Sequence, residues 1–286
     1  GNSDMNKNGT HKKNKWLVLI NVVIGTFMAT LDGSVVNVAL PSISAGLYID
    51  ITTVQWVVTS YLIAVSSLLL VFGKLSDIYG RRLLYFWGFI VFSLGSLFCG
   101  ISRSIWFLIF ARVFQGIGAA ILMSMNQAII SDTFPKEERG KALGISGTVV
   151  ALGNLAGPSI GGILTGIVGW ESIFLINIPI GVVGAIMSLR VLSADVKGKG
   201  DSFDYKGALL FSICVIFLFS GALQMSLVTM AIAIPFIFIF FILEKKQCSP
   251  ILDSNLFYIK LFRMGLASAF LSFVASNAIT IIMPFY

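Results

Sequence analysis

The chain has 286 residues and a net charge of +7, with 57% apolar residues against 12% charged, about half the charged share of a soluble domain. Its single histidine, His11, and its three cysteines, Cys99, Cys214 and Cys248, make neither a paired disulfide set nor a metal-ligand cluster. This composition argues against a soluble dehydrogenase, kinase, protease or nucleic-acid binder, and for a polytopic membrane protein. A basic tail, 1–15, precedes the first apolar run, 16–39, which is too long for a cleavable signal and is read as a span. Runs at 54–73, 83–101, 105–131, 141–166 and 172–191 follow, each near the ~20 residues that cross a bilayer. A linker, 192–206, leads to runs at 207–224 and 227–243, then a loop, 244–261, and a ninth run at 262–286. The expected fold is an all-α integral membrane protein.

Loop charge orients these spans. Of the 20 Lys and Arg residues, all but Arg103 and Arg112 fall in the tail or in every second connection. That pattern puts the N-terminus in the cytoplasm and makes the basic balance topogenic, with no nucleic-acid partner required. The sequon Asn8-Gly9-Thr10 then lies on the cytoplasmic side, where it stays unused.

Two stretches carry sharper patterns. The connection GKLSDIYGRR, Gly73 to Arg82, reads as a short loop in which Gly73 and Gly80 permit a tight turn. Asp77 lies just before a span, where it can face a helix N-terminus or pair with Arg81 and Arg82. A generic positive-inside loop accounts for the arginines but for neither the glycines nor the aspartate. In the fifth run, Gly153, Gly157 and Gly161 recur every four residues, with Gly162 and Gly166 in a second row and Pro158 as a point of bending. Small residues at this spacing let helices touch backbone to backbone.

GKLSDIYGRR resembles the signature loop of the major facilitator superfamily, between its second and third helices. LDGSVVNVALPSI, Leu31 to Ile43, resembles the first-helix motif of the fourteen-helix drug:proton antiporters of that superfamily. FARVFQGIGAA, Phe110 to Ala120, resembles the fourth-helix motif, and GNLAGPSIGG, Gly153 to Gly162, the fifth-helix motif associated with antiport. WESIFLINIPIG and FDYKGALLF fit the starts of the sixth and seventh helices, with one departure, Glu171, where family members usually carry Arg. The resemblance implies a six-helix N-terminal bundle over 16–191, two inserted helices over 207–243 and, at 262–286, the first helix of a second bundle. The chain then reads as an N-terminal fragment whose partner is the missing C-terminal bundle. It further implies multidrug efflux of an antibiotic-resistance type, exporting small lipophilic compounds against protons across a bacterial plasma (inner) membrane. The connection from Gly73 through Asp77, Gly80, Arg81 and Arg82 would be its cytoplasmic gate. An uptake symporter or uniporter, or a fragment inactive in transport, remains the alternative. A membrane enzyme would need convergent ligands or nucleophiles that the spans lack. No GxxxxGK[ST] phosphate loop occurs, so nucleotide-driven transport is disfavoured, and no cofactor is implied. Membrane lipids, protons and a small-molecule substrate are the expected partners.

Charges inside the spans point to mechanism. Of 13 acidic residues only Asp32 lies deep in a span, and of the cations only Arg112. Both sit about seven residues from the outer ends of their runs, roughly 10 Å deep at ~1.5 Å per residue. Each charge alone costs about 2.5–3.5 kcal/mol near a helix centre. Pairing at ~4 Å returns roughly 4 kcal/mol at an effective dielectric of ~20. The balance is close to zero, so Asp32 and Arg112 are read as a proton-coupling pair in which protonation competes with ionisation. A purely structural ion pair is the alternative. Asn37, Gln115, Asn126 and Asn154 are expected to line a cavity, although any one polar residue in a span, Gln127 and Asn177 included, more often serves as interhelical glue.

Overall fold

The computed structural model describes residues 2–193, 203–223, 227–244, 252 and 254–282. Ten α-helices run in order: α1 (Asn2–Leu47), α2 (Ile51–Tyr79), α3 (Arg81–Gly100), α4 (Ile105–Thr133), α5 (Lys136–Ile167), α6 (Ser172–Leu175), α7 (Asn177–Val191), α8 (Tyr205–Leu223), α9 (Leu227–Glu244) and α10 (Lys260–Ile282). A 3₁₀ turn, Ser254–Tyr258, precedes α10. Among the described residues six stretches are long and apolar enough to cross a membrane: Lys15–Leu47, α2, α3, α4, α5 and Ser172–Val191, the last formed by α6 and α7. Tyr205–Gly221 and Leu227–Leu243 are shorter apolar helices. The all-α membrane bundle expected from the apolar runs is therefore the fold observed. Residues 194–202 of the linker lie outside the described residues, as does Cys248 in the following loop.

Helices extend beyond the apolar runs because apolarity marks only the part matched to lipid, whereas a helix ends where a cap or a glycine stops it. The tail 1–15 is accordingly no separate element, since α1 starts at Asn2. The connection expected from Gly73 to Arg82 is also corrected. α2 continues through Gly73, which has open space around it, to Tyr79. Only Gly80 separates it from α3, at φ 97°, a backbone angle that a β-carbon strains. Pro158 does not interrupt α5, which runs unbroken from Lys136 to Ile167.

Local chemistry sets other ends. Asp50 caps α2, accepting from Thr53 N–H at 2.9 Å and from Thr53 Oγ1 at 2.8 Å. The bond from the Thr53 backbone, followed by that from its hydroxyl, holds the exposed Asp50 carboxyl below its ordinary value. Gly169, at φ 115°, turns the chain from α5 into α6.

The core divides in two. One apolar cluster gathers Val22, Met28, Tyr85, Phe89, Phe92, Leu122, Met125 and Phe134, toward the α4–α5 turn. The other gathers Val36, Ile43, Val57, Leu108, Trp170, Ile173 and Phe174, toward the α1–α2 turn. Between the two lies a polar layer holding Asp32 and Arg112.

α5 lies along α1 through its first glycine row. A β-carbon on Gly153 would sit 2.3 Å from Thr30 Oγ1, and one on Gly157 1.9 Å from Ser34 Oγ. Gly162 and Gly166, in contrast, have nothing within 4 Å. The two rows therefore differ in consequence. Gly157→Val is expected to lower stability by about 1–3 kcal/mol through overpacking, while Gly162→Val leaves the melting temperature of the solubilised chain close to native. Equal melting of the two variants would contradict this packing.

Candidate functional site: a buried ion pair and its hydrogen-bond shell

The two charges expected to face each other do so in full burial. Arg112 Nη1 donates to Asp32 Oδ2 at 2.5 Å, and both side chains are 0% exposed. Nη1 also donates to Gln115 Oε1 at 2.6 Å, and Nε donates to the Val57 carbonyl at 2.9 Å. The guanidinium carbon stands 4.1 Å from the Tyr61 ring centroid and 5.6 Å from that of Phe174, a cation–π setting that strengthens where water is excluded. Tyr61 is in turn held by its hydroxyl, which donates to the Ala29 carbonyl at 3.0 Å.

The other carboxylate oxygen is occupied separately. Asp32 Oδ1 accepts from Gln115 Nε2 and from Asn177 Nδ2, each at 2.9 Å. Gln115 Nε2 donates as well to Ser96 Oγ at 2.8 Å, and the Cys99 thiol donates to Gln115 Oε1 at 3.6 Å. This fixes the Gln115 carboxamide. Turned over, its NH₂ would meet the Arg112 N–H and its oxygen the carboxylate, two repulsive contacts in place of two bonds. Gln115 reaches α3 because Gly95 lets the backbones meet: a β-carbon there would stand 2.5 Å from Gln115 Cα. Residues of α1, α2, α3, α4, α6 and α7 thus converge on one pair.

The residues expected to line a cavity separate into three places. Gln115 is wholly buried and spends its carboxamide on the ion pair, which corrects its expected place on an open surface. Asn126 joins three helices, donating to Thr26 Oγ1 at 2.8 Å and to Ser146 Oγ at 2.9 Å. Asn37 and Asn154 are exposed. Asn177 and Ser96 complete the shell, though the sequence marked the first only as a polar residue in a span and the second not at all. The only signal for either was its position within an apolar run.

At the α2–α3 end of the bundle, Arg81 pairs with Asp77 one turn away at 2.9 Å and with Asp132 near the end of α4. Arg82 donates to the Leu189 carbonyl in the last turns of α7. The connection thereby ties α2, α3, α4 and α7 together. Lys15 pairs with Glu138 at the start of α5, and Trp16 packs edge-on against Phe134. Among the described residues no three His, Cys, Asp or Glu side chains gather as metal ligands.

Comparisons with known proteins agree with this architecture. The chain is 40% identical over 278 residues to a riboflavin transporter, RibZ, of Clostridioides difficile (strain 630), covering 96% of this chain and 61% of that protein. It is 32% identical to multidrug resistance protein 3 of Bacillus subtilis (strain 168), over 89% of this chain and 51% of that one. The chain thus spans about half to three fifths of the length of these curated relatives. In fold it is similar to the human organic anion transporter MFSD10 (TETRAN), at a TM-score of 0.55 and 15% identity, over 71% of this chain and 55% of the other. The family model described as Major Facilitator Superfamily matches residues 22–286, and the chain belongs to that superfamily of membrane transporters.

Proposed function

We propose that the chain is the proton-coupling half of a fourteen-helix drug:proton antiporter, exporting small lipophilic compounds across a bacterial plasma membrane. The Asp32–Arg112 pair carries this reading. Both groups are withdrawn from water and lipid, so a proton on Asp32 cancels the negative partner of a buried cation. The two protonation states then favour different packing of α1 against α4, which is the coupling an antiporter requires. The motif resemblance and the relatives named as multidrug resistance or multidrug transporter proteins support the choice of substrate class. In vesicles carrying the complete transporter, Asp32→Asn is expected to abolish proton-driven export of a lipophilic dye. Normal proton-driven export by that variant would rule out the coupling role. If the pair is structural only, the same change lowers stability by roughly 3–5 kcal/mol, and adding Arg112→Gln restores both stability and export.

A second reading is favoured by the 40% identity to the riboflavin transporter. In that reading the solute is a flavin. Riboflavin flux exceeding that of every dye tested in the same vesicles would replace lipophilic drugs by a flavin as the substrate.

Two further assignments belong to this proposal. The Asp77–Arg81–Asp132 array supports a gating role for the segment from Gly73 to Arg82, and the unbroken α1–α5 glycine contact at Gly153, Gly157 and Gly161, beside Pro158 and Gly162, supports the antiporter-motif role. An exposed ion pair adds at most about 1 kcal/mol, so Asp77→Asn is expected to reduce transport while leaving melting near native. Full transport at normal expression would count against gating.

Orientation is the other assignment. The basic segments put the N-terminus in the cytoplasm and the α1–α2 turn outside. Tyr48 in that turn is 94% exposed, so Tyr48→Cys is expected to react with a membrane-impermeant thiol reagent on intact cells. Reaction only after permeabilisation would invert the topology.

A further inference from the structure

Asp32 presents two oxygens with unequal surroundings. Oδ1 holds two amide N–H bonds, from Gln115 and Asn177, both at 2.9 Å. Oδ2 holds one bond, from Arg112 at 2.5 Å. A carboxylate oxygen accepts about two hydrogen bonds in all, so Oδ1 is full and Oδ2 retains a lone pair. The Gln115 amide cannot exchange its role. Gln115 Nε2 is committed to Ser96 as well, and its oxygen to Arg112.

We propose that Asn177 and Gln115 are positioning residues that reserve Oδ1 and direct the proton to Oδ2, the oxygen that Arg112 holds. This rests on the reading of Asp32 as the proton carrier. The proton comes from water, bonds to the free lone pair of Oδ2 and leaves by the same route. Arg112 stays charged, with its bonds to Gln115 and Val57 intact. Protonation at Oδ2 places the proton and the guanidinium on one atom, so each proton taken up weakens the ion pair directly. A proton on the far oxygen would leave the Arg112 contact in place.

Asn177 also has an acceptor to offer. Its Oδ1 and Arg112 Nη2 are both buried and have no hydrogen-bond partner. One is an acceptor and the other a donor, within a single network.

The ionisable groups around Asp32 are few. α4 brings Arg112, α2 brings Tyr61 and α3 brings Cys99. α5 faces α1 with Gly153, Gly157 and Gly161, α6 presents Phe174, and α7 presents Asn177. Removing an amide donor therefore acts on a carboxylate with one cationic neighbour.

Infrared difference spectroscopy of the reconstituted full chain separates the possibilities. The carbonyl band of the protonated Asp32 is the one lost in Asp32→Asn. With the proton on Oδ2, the carbonyl oxygen is Oδ1, which carries the two amide bonds. Asn177→Leu and Gln115→Met are each expected to move this band to higher wavenumber. Asn177→Ser, which keeps a donor, is expected to leave the band nearer native and is the variant to use if Asn177→Leu does not fold. A band unmoved in both Asn177→Leu and Gln115→Met, whatever their melting temperatures, would place the proton on Oδ1 and overturn the assignment. Absence of any titrating band that Asp32→Asn removes would instead defeat the proton-carrier reading itself.

Discussion

A carboxylate and a guanidinium shut away from both water and lipid must satisfy one another and find donors and acceptors for every remaining position. That constraint organises the first six spans. Arg112 on α4 needs Asp32 from α1, a carbonyl from α2 and the oxygen of its own helix neighbour Gln115. Asp32 needs the amide of α7 in addition. The polar layer so formed separates the two apolar clusters, and it fixes the rotation of each helix about its axis. An apolar layer would tolerate several rotations. A network in which nearly every donor is matched tolerates very few.

Close helix contact is the means by which short side chains reach so far. Gly95 brings α3 onto the backbone of Gln115, and Gly118 brings α4 within a β-carbon's reach of Phe92. Without these approaches the Gln115 carboxamide could not span Ser96, Asp32 and Arg112 together. The α5 glycines serve α1 in the same way, seating Ser34 so that its hydroxyl donates to the Gly153 carbonyl at 3.0 Å. Packing and electrostatics are thus one problem here, because the hydrogen-bond lengths follow from interhelical distances.

At the α2–α3 end of the bundle the logic is looser. Arg81 lies between two carboxylates with substantial exposure, and Arg82 reaches a helix-terminal carbonyl. Water competes for such contacts, so they are weak one at a time. A set of weak contacts can be exchanged at low cost, whereas separating the core pair would leave two charges buried without partners. The exposed end and the buried middle of the bundle are therefore held by contacts of different strength.

The sequence by itself determined the class of fold, because long apolar runs leave the backbone no other way to satisfy its polar groups in lipid. It also determined which charges matter. Asp32 and Arg112 stood out since a charge inside an apolar run is too costly to be incidental. It erred on the segment from Gly73 to Tyr79, where glycine and polar residues signalled a loop but the helix persisted to Gly80. Composition measures what faces lipid, and a helix does not stop at the membrane edge. Only the tertiary structure decided the parts played by Gln115, Asn177, Ser96 and Asn37. A neutral polar side chain in a span has no intrinsic partner, and its bond depends on helix rotation and separation to within about an ångström. Those quantities arise from all six spans packing at once, and no single run of residues contains them.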